Sequence, residues 1–417
     1  MPHSSAFTRR WLVGTAALPL LLAFVFARPA YAEIRGTDLL GDRAVASSSA
    51  LKVVAPNVVA PSGVLETSDG QVLWARDADV GRAMASTTKI MTAIIVLDDV
   101  RDLSEMVTVP AEATTLGEAD VGLRAGQQLS VRQLLEAMLV HSGNDAAITL
   151  AVHVGGSVDG FVKLMNEKAA SLDLGQTRFT NPHGLDESGH HASADDLATM
   201  AQYAMRNATF REIVGMRSVS LTIGGTRRRF DASNLLLGSF GGATGVKTGW
   251  TDEAGYCLVA SAQRGGTELF AVVLGTKSET ARFAEARRLL SWGFEHYGIR
   301  AVTTAEETAA LVAVTDYLDR TVPAVVAETT STAIFDVLGD VTTSASVAEE
   351  VQAPVDKGQR LGTLSVEQSG RLIAQVPIVS AAAVAAPDGW ERFRIGVTRL
   401  WRTAFGGQVR AAPVTMM

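Results

Sequence analysis

Three short stretches of this sequence carry side chains that could carry out covalent chemistry together. In "MASTTKIMTA", Ser86 and Lys89 stand three positions apart, the spacing that sets two side chains on one face of a helix. A lysine serves as a base only when neutral, which needs burial or a nearby cation, and the apolar neighbours Ile90 and Met91 suit that need. If Ser86 opens the helix, its own N–H lacks an intrahelical partner, and the helix dipole favours an oxyanion beside it. Ser-x-x-Lys alone is a weak signal, since a capping serine followed by a surface lysine has the same spelling.

The second stretch is Ser142-Gly143-Asn144. Such a triplet between helices is ordinarily a cap or turn, with glycine taking the awkward dihedrals. It could also offer a hydroxyl that relays a proton and an amide that holds a substrate carbonyl. The third is Lys247-Thr248-Gly249, placed at the start of a strand. Its plain meaning is a strand-end turn. Its chemical meaning is a cation that polarises the site, a hydroxyl that binds a carboxylate, and a glycine that lets a peptide pair with the strand edge.

The elements that must position these groups follow from hydrophobic periodicity. "SGVLETSDGQVLWARD" alternates around Ser68-Asp69-Gly70 and predicts a β-hairpin. "KIMTAIIVL" predicts a buried helix behind Ser86, Thr87 and Thr88. "SVRQLLEAMLV" and "DAAITLAVHV" are helices that leave Ser142 and Asn144 on their connector, and "FVKLMNEKAASL" and "SADDLATMAQYAM" are amphipathic helices. "GYCLVASAQ" and "TELFAVVLGT" are antiparallel strands joined at Arg264-Gly265-Gly266, and "ETARFAEARRLLSWGFEHY" is a further helix. Without a βαβ rhythm, residues 51–300 form one α+β domain with an antiparallel sheet. Residues 301–386 turn to short alternating runs rich in Val, Thr and Ala, a small all-β domain.

In residues 387–417, "GWERFRIGVTRLWRTAF" sets Trp390, Phe393, Val397, Leu400, Trp401 and Ala404 on one helical face and Arg392, Arg399 and Arg402 on the other. This pattern fits a helix lying in a membrane interface with arginines toward anionic lipid; a helix packed on the β-domain is the alternative. It is too polar to span a bilayer.

The chain has 417 residues, 47% hydrophobic and 19% charged, enough for two domains and a large core. Residues 1–32 have the form of a secretory signal peptide, with Arg9-Arg10, the apolar run "WLVGTAALPLLLAFVFA" and the small-x-small ending Ala30-Tyr31-Ala32. A retained anchor is the alternative, and the arginine pair leaves twin-arginine export open beside ordinary secretion. Residues 33–50 are an extended lead-in. One cysteine, Cys257, permits no intramolecular disulfide, and no Cys or His spacing suggests a metal site, so no cofactor or metal is expected. A net charge of −7 argues against a nucleic-acid partner.

Taken in order, the three motifs resemble the Ser-x-x-Lys, Ser-x-Asn and Lys-Thr-Gly set of penicillin-binding proteins and class A β-lactamases. With "TNPHGLDESGHHASADDLATMA", "GVKTGWTDEAGYCLVASA" and "LLSWGF", the chain most resembles the low-molecular-mass penicillin-binding proteins, the serine-type D-alanyl-D-alanine carboxypeptidases. "APVDKGQRLGTL" and "VPIV" resemble that family's carboxy-terminal β-domain, so the likeness spans most of the chain after the leader.

The resemblance implies a β-lactamase/transpeptidase-like fold with a helical subdomain, and a penicillin-sensitive, exported enzyme at the outer face of the cytoplasmic membrane. Its substrate would be the peptidoglycan stem peptide. It implies Ser86 as nucleophile toward the bond between the terminal D-alanines, Lys89 as base and Ser142 as proton relay. Asn144 would position substrate and Lys89, Lys247 would keep Lys89 neutral, and Thr248 would bind the terminal carboxylate. Ser86 and Trp250 would give the oxyanion N–H groups, and Arg282, otherwise an unremarked exposed helix arginine, would help place the carboxylate. His183 and Asp186 would form a structural turn near the site.

Met84 stands where the family often has proline, which alters only the helix entry, and Trp250 brings a bulky indole that could alter substrate preference. A β-lactamase would need a carboxylate-activated water, and the chain has no Glu-x-x-Leu-Asn and reads Ser-Gly-Asn rather than Ser-Asp-Asn. A non-catalytic cell-wall binding protein would not need every motif residue, and all are present.

Overall fold

The structure, a computed structural model, describes residues 54–415. The expected signal peptide and lead-in lie outside the described residues.

The predicted hairpin is β1 (Ser62–Thr67) and β2 (Val72–Arg76), turning through Gly70 at φ 83°. A short 3-10 turn over Ala85–Thr88 then enters α1 (Lys89–Asp99), of which residues 89–96 are all buried. Thr87 and Thr88 do not cap this helix. Their hydroxyls donate back to the carbonyls of Met84 and Ala85, at 2.6 and 2.8 Å, so the side chains tighten the turn that carries Ser86. A ribbon of β3 (Met106–Thr108) and β4 (Gln128–Ser130) leads to α2 (Val131–Val140), which opens on a reciprocal Ser130/Gln133 capping box.

The helical layer continues with α3 (Asn144–Gly155), α4 (Val158–Ser171), α5 (Ala194–Ala204) and α6 (Ala208–Val214). A hairpin of β5 (Ser218–Ile223) and β6 (Thr226–Asp231) precedes β7 (Ala243–Thr251), β8 (Gly255–Arg264), β9 (Thr267–Thr276) and α7 (Glu279–His296). The sheet order is β2-β1-β9-β8-β7, with every neighbouring pair antiparallel, so β7 is an edge strand. Lys247-Thr248-Gly249 does not open that strand as expected but begins at its middle, because Ala243–Val246 already runs in the sheet.

Both faces of the sheet are covered, which is why its strands read as nearly unbroken apolar runs. Leu258, Ala260, Leu269, Ala271 and Val273 pack with Phe283, Ala286, Leu289 and Leu290 of α7. The alternate residues Cys257, Val259, Phe270 and Val272 pack with Ile90 and Ile94 of α1 and Leu197 of α5. The helix that follows Ser86 is thus held from behind by the sheet core.

After α7 the architecture changes. β10 (Tyr297–Ala301) pairs across the chain with β13 (Ser331–Phe335), while β11 (Thr308–Val314) and β12 (Thr321–Val326) enter a second sheet. That sheet adds β14 (Val341–Val347), β15 (Glu350–Val351), β16 (Arg360–Gln368) and β17 (Arg371–Ser380) in the order β14-β16-β17-β12-β11-β15. Val312, Val322, Leu364, Val376 and Ile378 lie in its core.

The last helix, α8 (Gly389–Phe405), is capped by Asp388 and followed by β18 (Val414–Thr415), which returns to pair with β11. Trp390, Phe393, Val397, Leu400, Trp401 and Phe405 are all exposed. The arginines differ from expectation: Arg402 holds both carboxylate oxygens of Asp319, at 2.7 and 2.9 Å, and Arg399 donates to the carbonyl of Thr315. Loop 315–319 supplies acceptors that the helix sequence could not reveal, so the basic face docks on the β-domain and the aromatic face is left open. Among the described residues no single helix is long and apolar enough to cross a membrane.

Candidate active site

The 3-10 turn, the α2–α3 connector and the edge strand β7 converge. Lys89 Nζ lies 2.8 Å from Ser86 Oγ, 2.6 Å from Asn144 Oδ1 and 2.7 Å from the carbonyl of His183. Asn144 Nδ2 donates to the carbonyl of Glu118 at 2.8 Å, which turns its Oδ1 toward the lysine. Two of the three contacts of Lys89 are therefore to obligate acceptors. An ammonium donates to all three oxygens; once neutral, the amine keeps two N–H bonds for these acceptors and turns its lone pair to the Ser86 hydroxyl. The geometry suits a lysine ready to take the serine's proton.

Electrostatics agree. Lys89 and Lys247 are both 0% exposed. Burial holds Lys89 well below the usual lysine value, and the charge of Lys247 pushes the same way. Lys247 is itself pushed down to about 7 by burial and by Arg282. It donates to Ser142 Oγ at 2.9 Å and to its neighbour's carbonyl, on Thr248, at 2.8 Å. Both contacts are to oxygens that can accept from its ammonium.

Backbone strain is concentrated here. Ala85, just before Ser86, has φ 50°, and Ser142 has φ 77°, conformations that non-glycine residues rarely adopt outside constrained sites. Glycines make the close approaches: a Cβ on Gly249 would fall 2.9 Å from the carbonyl oxygen of Met84 and 3.0 Å from the nitrogen of Ser86. A Cβ on Gly184 would fall 2.0 Å from the carbonyl oxygen of Ala85. The edge strand thus lies directly against the N–H of Ser86, on the side where Trp250 follows. The Trp250 indole is 52% exposed, with its ring tilted over Tyr256.

Of the two readings of Arg282, the structure excludes the exposed helix arginine: it is 5% exposed, and its Nη1 donates to the carbonyl of Gly249 at 3.0 Å while Nη2 pairs with Glu279. It therefore braces the Lys-Thr-Gly strand. The His183–Asp186 turn is more than structural: the His183 carbonyl holds Lys89, and Asp186 accepts from Thr251 Oγ1 and from the Glu253 N–H.

Several contributors escaped the motifs. Ser233 Oγ lies 2.7 Å from Thr248 Oγ1. The buried carboxylate of Asp145 accepts from the N–H groups of Val121, Gly122, Leu123 and Ala146, tying a loop to the connector. His190 Nδ1 accepts from the Thr180 N–H, so Nε2 carries the proton and donates to Thr88 Oγ1 at 2.8 Å; Thr88 in turn donates to the carbonyl of Ala85. Only Asp145, adjacent to Asn144, had any local signal. Among the described residues no cluster of metal-ligating side chains occurs.

A serine with a buried lysine base, a second hydroxyl–lysine pair and a strand edge beside the nucleophile define a serine acyl-transfer enzyme. Comparison with known proteins narrows the class. Residues 49–278 match the family described as D-alanyl-D-alanine carboxypeptidase, and residues 301–386 match the C-terminal domain of penicillin-binding protein 5. D-alanyl-D-alanine carboxypeptidase DacF of Bacillus subtilis is 33% identical over 325 residues, covering 76% of this chain and 83% of its own. The crystal structure of penicillin binding protein 5 from Haemophilus influenzae superposes with a TM-score of 0.60 at 28% identity, over 80% of this chain and 99% of that one. A DD-transpeptidase of Streptomyces superposes with a TM-score of 0.56 at 33% identity, over 58% of this chain and all of its own. The chain belongs to the D-alanyl-D-alanine carboxypeptidase family.

Proposed function

We propose that this chain removes the terminal D-alanine from peptidoglycan stem pentapeptides through an acyl-enzyme on Ser86. The observation that carries the reading is the three-way coordination of Lys89, which leaves its lone pair to the Ser86 hydroxyl. Ser86 Oγ attacks the carbonyl between the two D-alanines as its proton passes to Lys89 Nζ. The N–H groups of Ser86 and Trp250 receive the oxyanion, each such donor being worth about 3 kcal/mol in the transition state. Thr248, backed by Ser233, takes the terminal carboxylate beside the charge of Lys247, and Ser142 passes the proton to the leaving amine. Water then hydrolyses the ester with Lys89 again as base. β-Lactams follow the same acylation path and act as covalent inhibitors.

No carboxylate among the described residues hydrogen-bonds Ser86 or Lys89, which supports slow rather than fast hydrolysis of a penicilloyl ester. Incubation with a peptide ending in D-Ala-D-Ala and, separately, with labelled penicillin tests the reading. Release of D-alanine together with a lasting label on Ser86, both lost in Ser86→Ala, is expected. Rapid β-lactam turnover without D-alanine release would replace it with a β-lactamase, and no label at all with a binding protein.

The same proposal places the enzyme outside the cytoplasmic membrane, peripherally attached through α8. Support comes from the leader-like residues 1–32 and from the open aromatic face of α8, whose Trp390 and Trp401 suit headgroup depth. If a chain truncated after Pro387 sediments with anionic lipid vesicles as well as the longer chain does, the attachment reading is wrong.

A further inference from the structure

A cavity of about 430 Å³ lies between α8 and residues 317–320 of the β-domain, a volume in the range of small-molecule sites. Its place on the helix follows from side-chain spacing. Arg399 and Arg402 dock one side of α8 on the β-domain, where Ile395 also packs, and Trp390, Val397 and Trp401 stay exposed on the other. Glu391, Arg394 and Thr398 line the cavity and succeed one another at three and four residues, so they form the row between those two sides. Arg394 follows Trp390 by four residues and precedes Trp401 by seven, which sets it on the border of the aromatic face. The apolar face of an interfacial helix enters the acyl boundary while its flanks stay among the headgroups. With α8 attached as proposed above, on which this inference rests, the cavity lies at headgroup depth.

The charges around it divide into those with partners and those without. Arg402 is paired with Asp319, Arg399 donates to the carbonyl of Thr315, and Arg392 donates to the carbonyl of Pro387. The side chain of Arg394, the fourth arginine of α8, makes no ion pair or hydrogen bond among the described residues. Neither does that of Glu391, although the two stand at the i, i+3 spacing at which helix side chains pair. The guanidinium of Arg320 has only the ring of Tyr317, 4.9 Å from its centre. Two cations and one carboxylate thus border one cavity without a partner of opposite charge.

We infer that this cavity is a headgroup site for a lipid that carries a phosphodiester and a primary ammonium. Arg320 and Arg394 receive the phosphate through charge-assisted hydrogen bonds, and Glu391 receives the ammonium. A headgroup with phosphate alone leaves Glu391 facing an anion, and a fully methylated amine has no N–H to donate to it. The site therefore prefers the primary amine, and it ties the lipid to Arg320 of the β-domain as well as to the helix.

The test measures partition of the whole chain, without the leader-like residues 1–32, onto two kinds of vesicle. One is phosphatidylcholine alone and the other an equal mixture of phosphatidylcholine and phosphatidylethanolamine. Neither carries net charge, which removes the general attraction of arginines to an anionic surface. The mixed vesicles are expected to bind about tenfold more tightly, which corresponds to about 1.4 kcal/mol. In Glu391→Gln that preference falls toward one while binding to phosphatidylcholine holds. In Arg320→Gln, which leaves α8 untouched, binding to both kinds of vesicle weakens. Soluble O-phosphoethanolamine displaces the chain from the mixed vesicles, and inorganic phosphate at the same concentration does so less. Equal binding to both vesicles by the wild type overturns the site. So does a preference that survives in Glu391→Gln, which would come from lipid packing alone, or wild-type binding by Arg320→Gln, which would leave the helix as the sole contact. Displacement by inorganic phosphate as strong as by O-phosphoethanolamine makes this a plain phosphate site and overturns the headgroup assignment. Each of these results leaves attachment through α8 standing, whereas no binding to these or to anionic vesicles overturns both.

Discussion

The amine of Lys89 and the hydroxyl of Ser86 are 2.8 Å apart at the start of a buried helix, with the remaining two contacts of the amine committed to Asn144 and His183. Nucleophile and base are neighbours in sequence, so the distance between them is set by one helical turn. What the rest of the fold contributes is the removal of water and of alternative partners. Burial against the sheet core lowers the lysine, and Lys247 on the edge strand adds repulsion.

Gly249 is where the strand touches the nucleophile. Gly249→Ala would bring a methyl group to 3.0 Å from the Ser86 nitrogen, displacing either the strand or the oxyanion N–H. Misplacing one such donor costs about 10²- to 10³-fold in rate. A loss of acylation by penicillin of about 100-fold, at a melting temperature near that of the wild type, is expected. Acylation within threefold of the wild type would show that the strand edge plays no part.

In the proposed reaction Arg282 would act through its neighbours Gly249 and Lys247. Its charge helps hold Lys247 down to about 7, second to burial. Protonated Lys247 is the form that attracts a carboxylate, so kcat/KM is lost as pH rises through this value. In Arg282→Gln the like charge is gone, the pKa of Lys247 rises, and the alkaline limb moves to higher pH. The maximum also falls, because the Gly249 carbonyl loses its donor. A lower maximum with an unmoved limb would reduce Arg282 to a purely mechanical brace.

His190 links the strained Ala85 to the rest of the fold through Thr88. Burial lowers its pKa from 6.5 to about 4. Between those values the unfolded chain binds a proton that the folded chain refuses, so stability drops as pH falls through this window. The contribution from His190 alone between pH 7 and 5 is roughly 2 kcal/mol. Urea unfolding at the two pH values should show that the wild type loses about this much more than His190→Gln. Equal losses would place the proton on His190 already in the folded state.

The fold and the catalytic groups differ in how far the sequence discloses them. Ser86 with Lys89, and Ser142 with Asn144, sit at fixed short spacings on a helix start and a helix connector, and the structure brings them together as those spacings imply. Ser233 and His190 do not announce themselves, because each is a single polar residue whose role arises from a contact across the chain, with Thr248 and Thr88 respectively. The start of β7 is hidden by Gly245, a residue type that strand interiors ordinarily avoid. The burial of Arg282 is not legible in the residues alone, because α7 buries Arg282 and Glu285 on a charged stretch that hydrophobic periodicity assigns to solvent. Arg399 and Arg402 similarly found acceptors on a loop about 80 residues away in sequence.

The neutral state of Lys89 is tested most directly by the rate of Ser86 acylation by a penicillin, followed across pH 5 to 11. With Lys89 held well below its usual 10.5 by burial and by the charge of Lys247, the rate should level off at a pH well below 10.5. A rate that climbs about tenfold per pH unit from pH 7 to a midpoint near 10.5 would mean an ordinary ammonium at Lys89, and would contradict its role as the base.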